Sequence, residues 1–156
     1  MKRAISSLGI TGVLAAVLAA SVLAAPAATN TLVITHKVKG CHIWALNGAK
    51  PAVNQTIKLH PGQMLTIRNT DVMPHQLIKT SGAAVTMKLV NSGMMSTGTL
   101  KAPYAAGMMP HMSSTLRVSF PKAGTYTFKT AAGEDYMAGV KTVGEDKVLK
   151  VKVVVG

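Results

Sequence analysis

GQMLTIRNTDVMPH, residues 62–75, is the stretch on which the fold turns. Met64, Leu65 and Ile67 lie in a short run in which apolar and polar residues alternate, the two-residue period of a strand with one buried face. Asn69, Thr70 and Asp71 then supply turn chemistry, and Pro74 stiffens the approach to His75. The segment therefore reads as a strand that runs into a polar turn and delivers one imidazole.

The same alternation extends outward in both directions. Leu32, Ile34 and His36 fall on one side of a first strand, Ile57 marks another, and residues 76–79 and 83–90 give two more. Residues 115–130 read as a hairpin: Leu116, Val118 and Phe120 point inward, residues 121–124 turn, and Tyr126 and Phe128 return. A last strand over residues 147–155 sets Leu149, Val151, Val153 and Val155 against outward Lys150 and Lys152. Seven to eight strands in one domain predict an all-β sandwich. Residues 91–114, rich in Gly, Ser, Pro and Met, break the rhythm and read as one long loop of the kind that carries function. The tripeptide GED occurs at residues 133–135 and 144–146 and holds four of the five acids. It reads as a pair of polar turns, or as an acidic rim that offsets the basic surface or docks a partner. It offers too few oxygens for a calcium loop.

Residues 1–27 have the anatomy of a secretory signal peptide: Lys2 and Arg3, a short apolar run over residues 10–20, and Ala25-Pro26-Ala27 as the cleavage site. That run is short against the ~20 residues that cross a bilayer, so no stable membrane span is expected after cleavage. Residues 28–156 make one domain, expected to be periplasmic or secreted and monomeric. Without Lys2 and Arg3 the chain carries 15 basic and 5 acidic side chains, a charge of about +10. This favours an acidic protein or an anionic membrane surface as partner. Nucleic acid is excluded as a partner, because the chain is exported and its lysines are scattered. Cys41 is the only cysteine, so no internal disulfide can form, and the thiol is left as a metal ligand, an intermolecular bridge or a buried inert group. There is no G-x-S-x-G, H-E-x-x-H or phosphate-binding loop, so no enzyme is expected.

The motif N-x-D-x-x-P-H at residues 69–75, followed by AGTYTFKT at 123–130 and by Met137 and Gly139, resembles the cupredoxins, small exported copper proteins. The resemblance implies a Greek-key β-sandwich with His75 as a copper ligand at one end of the barrel. It also locates a departure: Thr130 falls where that family's cysteine would be, Glu134, Asp135 and Tyr136 occupy the ligand loop, and no histidine follows His111. A His₂Cys centre of the blue-copper type cannot be built there. Other donors are at hand. GCHIW at residues 40–44 resembles an early Cys-His-x-Trp element of small bacterial cupredoxin-like proteins. GMMPHM at 107–112, with Met94 and Met95, concentrates five of the ten methionines between 94 and 112. Thioether and thiolate select Cu(I), and imidazole accepts both oxidation states, although methionine is also a flexible filler of irregular gaps.

The expected site is therefore a non-standard mononuclear one, holding one copper ion as Cu(I) or Cu(II). His75, Cys41 and His111 are its preferred ligands, and His42, Met109 and Met112 are further candidates. His36 and His60 are expected to be surface or strand residues, and Trp44 a core or rim aromatic. Electron transfer or copper handling would follow, with an acidic redox or copper-handling protein as partner. A copper oxidase would need more centres than five histidines furnish. The alternative is a metal-free β-sandwich interaction module that binds an acidic protein partner or a membrane surface.

Overall fold

Strand periodicity resolves into two facing sheets in the computed structural model, which describes residues 30–36, 42–93, 102–132 and 148–156. Ten strands and no helix occur among them: β1 (Asn30–His36), β2 (His42–Leu46), β3 (Asn54–Leu59), β4 (Met64–Asn69), β5 (His75–Ser81), β6 (Thr86–Asn91), β7 (Met108–Met109), β8 (Thr115–Ser119), β9 (Gly124–Ala132) and β10 (Lys150–Val155). The first sheet has the order β2-β1-β4-β8-β6 and the second β3-β10-β9-β5-β7. β1 runs parallel to β4 and β3 to β10; the other pairs are antiparallel. The all-β sandwich expected from the sequence is thus present. Its strand count exceeds seven to eight because β2 and β7, of five and two residues, offer too few alternations for a period to show.

Alternation places the core as read. Leu32, Ile34, Leu65, Ile67, Leu116 and Val118 of the first sheet meet Ile57, Leu77, Tyr126, Phe128, Val151 and Val153 of the second, all buried. Burying such side chains contributes roughly 1.5–3 kcal/mol each before chain entropy is subtracted.

Residues 115–130 do not form the expected hairpin. β8 pairs with β4 and β6, whereas β9 pairs with β10 and β5, so the short connection crosses from one sheet to the other. Phe120 meets Tyr126 and Phe128 across the core, with ring centroids 4.9 and 6.2 Å apart. A hairpin and a sheet-to-sheet crossing bury the same alternate residues, so periodicity cannot separate them.

Nor are residues 91–114 one loop. β6 runs to Asn91, and Met108–Met109 lie beside His75 and Gln76 of β5. This close approach depends on Gly107, whose φ is +79° and whose carbonyl accepts the Leu77 amide at 2.9 Å. A Cβ there would collide with the Leu77 carbonyl. Gly107→Ala is expected to destabilise the protein by about 1–3 kcal/mol, since an L side chain is strained at positive φ and has no room here. A urea midpoint unchanged from that of the parent would contradict this packing.

Candidate metal centre

Chain direction gathers the polar residues at one end of the sandwich. In the parallel pair, Ile34 of β1 lies opposite Asn69 of β4, so His36 and the turn after Asn69 emerge together. His42 lies opposite His36, and Met109 opposite His75. Thr70 ties the turn to β1: its amide and hydroxyl donate to the Ile34 carbonyl at 2.8 and 2.6 Å.

Asn69, fully buried, organises this end. Its side-chain oxygen accepts the Asp71 amide at 3.0 Å, and its amide group donates to the carbonyls of Met73 at 2.8 Å and His111 at 3.3 Å. Its backbone bonds Ser113 and Ser114. One side chain therefore fixes both the turn that carries His75 and the segment that carries His111, while buried Ser114 accepts the His111 amide at 3.0 Å.

Asp71 follows, also fully buried. One of its oxygens accepts the Met73 amide at 3.2 Å and lies 3.3 Å from Nδ1 of half-exposed His36. The other lies 3.2 Å from Nε2 of buried His75. Burial alone would raise the carboxyl pKa. The hydrogen bond and charge of His75, the Met73 amide and the charge of His36 outweigh it and hold the group below its ordinary 3.8. An ionised carboxylate only accepts, so His75 Nε2 donates to it. In the neutral ring this leaves a lone pair on Nδ1, which is buried and has no hydrogen-bond partner among the described residues. Buried polar atoms of that kind ask for an occupant.

The His42 ring stands edge-on to that of His75, centroids 4.7 Å apart. One donor atom each of His42, Asp71 and His75 lies within 4.8 Å of the other two. Asp71 is engaged on both oxygens, so its natural part is to orient the imidazole rather than to hold an ion, as carboxylates behind metal-bound histidines do. Fully buried Met109 is the cross-strand neighbour of His75, and register partners project on the same face of a sheet. Two imidazoles with a thioether beside them suit a soft, nitrogen-preferring metal such as copper.

Of the six candidate ligands, the structure joins His42 and His75 directly and sets Met109 alongside. His111 is outside that group: its carbonyl bonds Asn69 and its Nε2 lies 3.2 Å from the Tyr104 hydroxyl. Met112 is half-buried in the same segment. Cys41, Met94, Met95, the GED segments, Met137 and Gly139 fall outside the described residues. Thr130 is a buried structural residue, bonded through amide and hydroxyl to the backbone of Leu149. His60 is exposed and Trp44 is fully buried, as read from the sequence. His36 is exposed on its strand but also touches Asp71. Sequence reasoning gave Asp71 a part in the turn but none at the site. The signal was there, since Asn-x-Asp favours a side-chain-closed turn and Asp71 stands four residues before His75.

No family model matches the chain, and no curated protein matches it. Among solved structures it is similar to amicyanin from Paracoccus versutus (14% identity, 85% of this chain and 86% of that one, TM-score 0.41). It is also similar to a purple cupredoxin from Nitrosopumilus maritimus (14%, 80% and 98%, TM-score 0.38) and to a cysteine protease inhibitor from Entamoeba histolytica (13%, 82% and 95%, TM-score 0.42).

Proposed function

We propose that this chain is an exported, cupredoxin-like protein that binds one copper ion between His42 and His75 and serves electron transfer or copper handling. The observation that carries the reading is the buried imidazole pair in which Nδ1 of His75 has no partner among the described residues while its Nε2 is fixed by a buried carboxylate. Bound copper supplies one-electron chemistry between Cu(I) and Cu(II). The chain's own residues do the rest. Asp71 fixes the tautomer and plane of His75, Asn69 fixes Asp71, and Met109 adds a soft donor beside His75. Cys41, next to His42 in sequence, is the thiolate candidate.

Trp44 lies two residues beyond His42 in the same strand, hence on the same face, and its buried indole excludes water there. Its Nε1 donates to the Val53 carbonyl at 3.1 Å, which holds the ring in place. Rigid strands on both sides limit rearrangement between oxidation states. No substrate chemistry is part of this reading. Asp71 is the only acidic side chain among the described residues, and it is already engaged. A basic exterior steers encounter with an acidic redox or copper-handling partner.

Copper titration of the purified protein tests this directly, because Trp44 is the chain's only tryptophan and reports from beside His42. Copper is expected to quench its fluorescence and to raise the unfolding temperature, as any ligand of the folded state must. His42→Ala and His75→Ala should each weaken copper by at least about a hundredfold, more than is lost when an outer partner is removed. Cys41→Ser should abolish thiolate charge-transfer absorption in the Cu(II) form. Unchanged copper affinity in both histidine variants would overturn the site.

A further inference from the structure

The outer face of the second sheet, behind the core and away from the histidines, carries a groove of about 420 Å³. Lys129, Lys150 and Lys152 line it together with the hydroxyl-bearing Thr56, Thr80 and Thr127. Register explains the grouping. Lys150 of β10 is directly opposite Lys129 of β9, and Lys152, two residues on and therefore on the same face, lies between Thr127 and Thr56. The hydroxyls of Thr80 and Thr127 are 2.7 Å apart.

Like charges directly opposite on neighbouring strands repel. Among the described residues the only acidic side chain is Asp71, buried with the histidines at the sandwich end and not in this groove. Three lysines and three threonines thus line one depression.

We propose that this groove binds a free, multiply charged oxyanion of the di- or triphosphate type. Three observations select that class. Lysine is a point charge with rotating donors that suits tetrahedral oxyanions, and no arginine lines the groove to offer the planar fork that favours carboxylates. The volume falls within the range of small-molecule sites, roughly 300–1,000 Å³. Three lysines match the charge of such an anion, but fall short of the clusters of about four to eight cations that hold a protein to an anionic membrane. The groove is independent of the proposed copper centre. Lys129 lies opposite Ile78, three residues along β5 from His75 and on the other face of the sheet.

Calorimetric titration of the purified protein with pyrophosphate and tripolyphosphate tests the proposal. The double variant Lys129→Gln/Lys150→Gln should weaken tripolyphosphate binding by about tenfold or more, the cost of losing charge-assisted contacts. Without anion, this variant should unfold no lower in temperature than the parent, because the repulsion is gone. Lys88 and Arg117 also face each other, on the first sheet. The charge-matched Lys88→Gln/Arg117→Gln should bind within about twofold of the parent, as expected for an exposed, distant pair. Equal losses in both double variants would reduce the effect to net charge and overturn the groove, as would no loss in either. Phosphatidylglycerol vesicles that bind more tightly than tripolyphosphate, and release when Lys129 and Lys150 are replaced, would overturn the free-ligand assignment. His75→Ala should leave tripolyphosphate binding unchanged whatever it does to copper, so the two readings fail separately.

Discussion

Asp71→Ala is expected to lower unfolding stability by about 3–5 kcal/mol, the cost of breaking a buried pair by removing one member. The variant strands Nε2 of His75 and the amide of Met73 in a fully buried site and leaves His36 without its carboxylate. Asp71→Asn keeps the volume and removes the charge, which isolates the electrostatic part. The sign of its pH dependence follows from the direction of the shift. A carboxyl held below 3.8 in the folded protein contributes stability that is complete above the unfolded-state pKa and is lost as pH falls through the lower folded-state value. The parent's urea midpoint should therefore fall below about pH 4 more steeply than that of Asp71→Asn. Copper affinity of Asp71→Asn should drop about 10- to 100-fold, the usual effect of removing the group that orients a metal-bound histidine. Parallel stability curves for parent and Asn variant would show that the carboxylate is not paired as described.

Asn69→Ala should cost about 3–4 kcal/mol, because it unpairs the Asp71 amide and the Met73 carbonyl, both buried, and one bond to the His111 carbonyl. Asn69→Asp is the sharper probe. It retains an acceptor for the Asp71 amide, loses both donor bonds, and puts a second negative charge two residues from a buried carboxylate. It should be no more stable than the alanine variant near pH 7 and should recover stability on acidification, the opposite trend to Asp71. Urea unfolding checks both, and amide exchange at Asp71 and Ser113 should quicken together. If either variant were as stable as the parent, Asn69 would not be what joins the two segments.

The core was legible in the sequence because alternation is a local property. Leu65, Ile67, Val151 and Val153 could be assigned inward from their immediate neighbours. Which sheet a strand joins is not local, and so the crossing between β8 and β9 looked like a hairpin. Two-residue β7 exists only through its pairing with His75 and Gln76, which no period reveals. At the site, His75 was readable from its turn. Its pairing with His42 depends on the parallel register of β1 with β4, a long-range choice that spacing does not encode. Asp71 was in view but looked like turn chemistry, and only its complete burial marks it as part of a hydrogen-bonded relay.

β10 follows the other described strands in sequence yet occupies an interior place in its sheet, between β3 and β9. A polypeptide delivered from its amino end, on a ribosome or through a translocation channel, can assemble the first sheet early. The second must wait with two open ribs of unpaired amides until residues 150–155 arrive to close them. During that interval the nascent protein is most exposed to wrong strand pairing. The segment that ends the interval alternates Lys150 and Lys152 with valines, so the closing strand is itself ill-suited to pairing with a neighbouring copy.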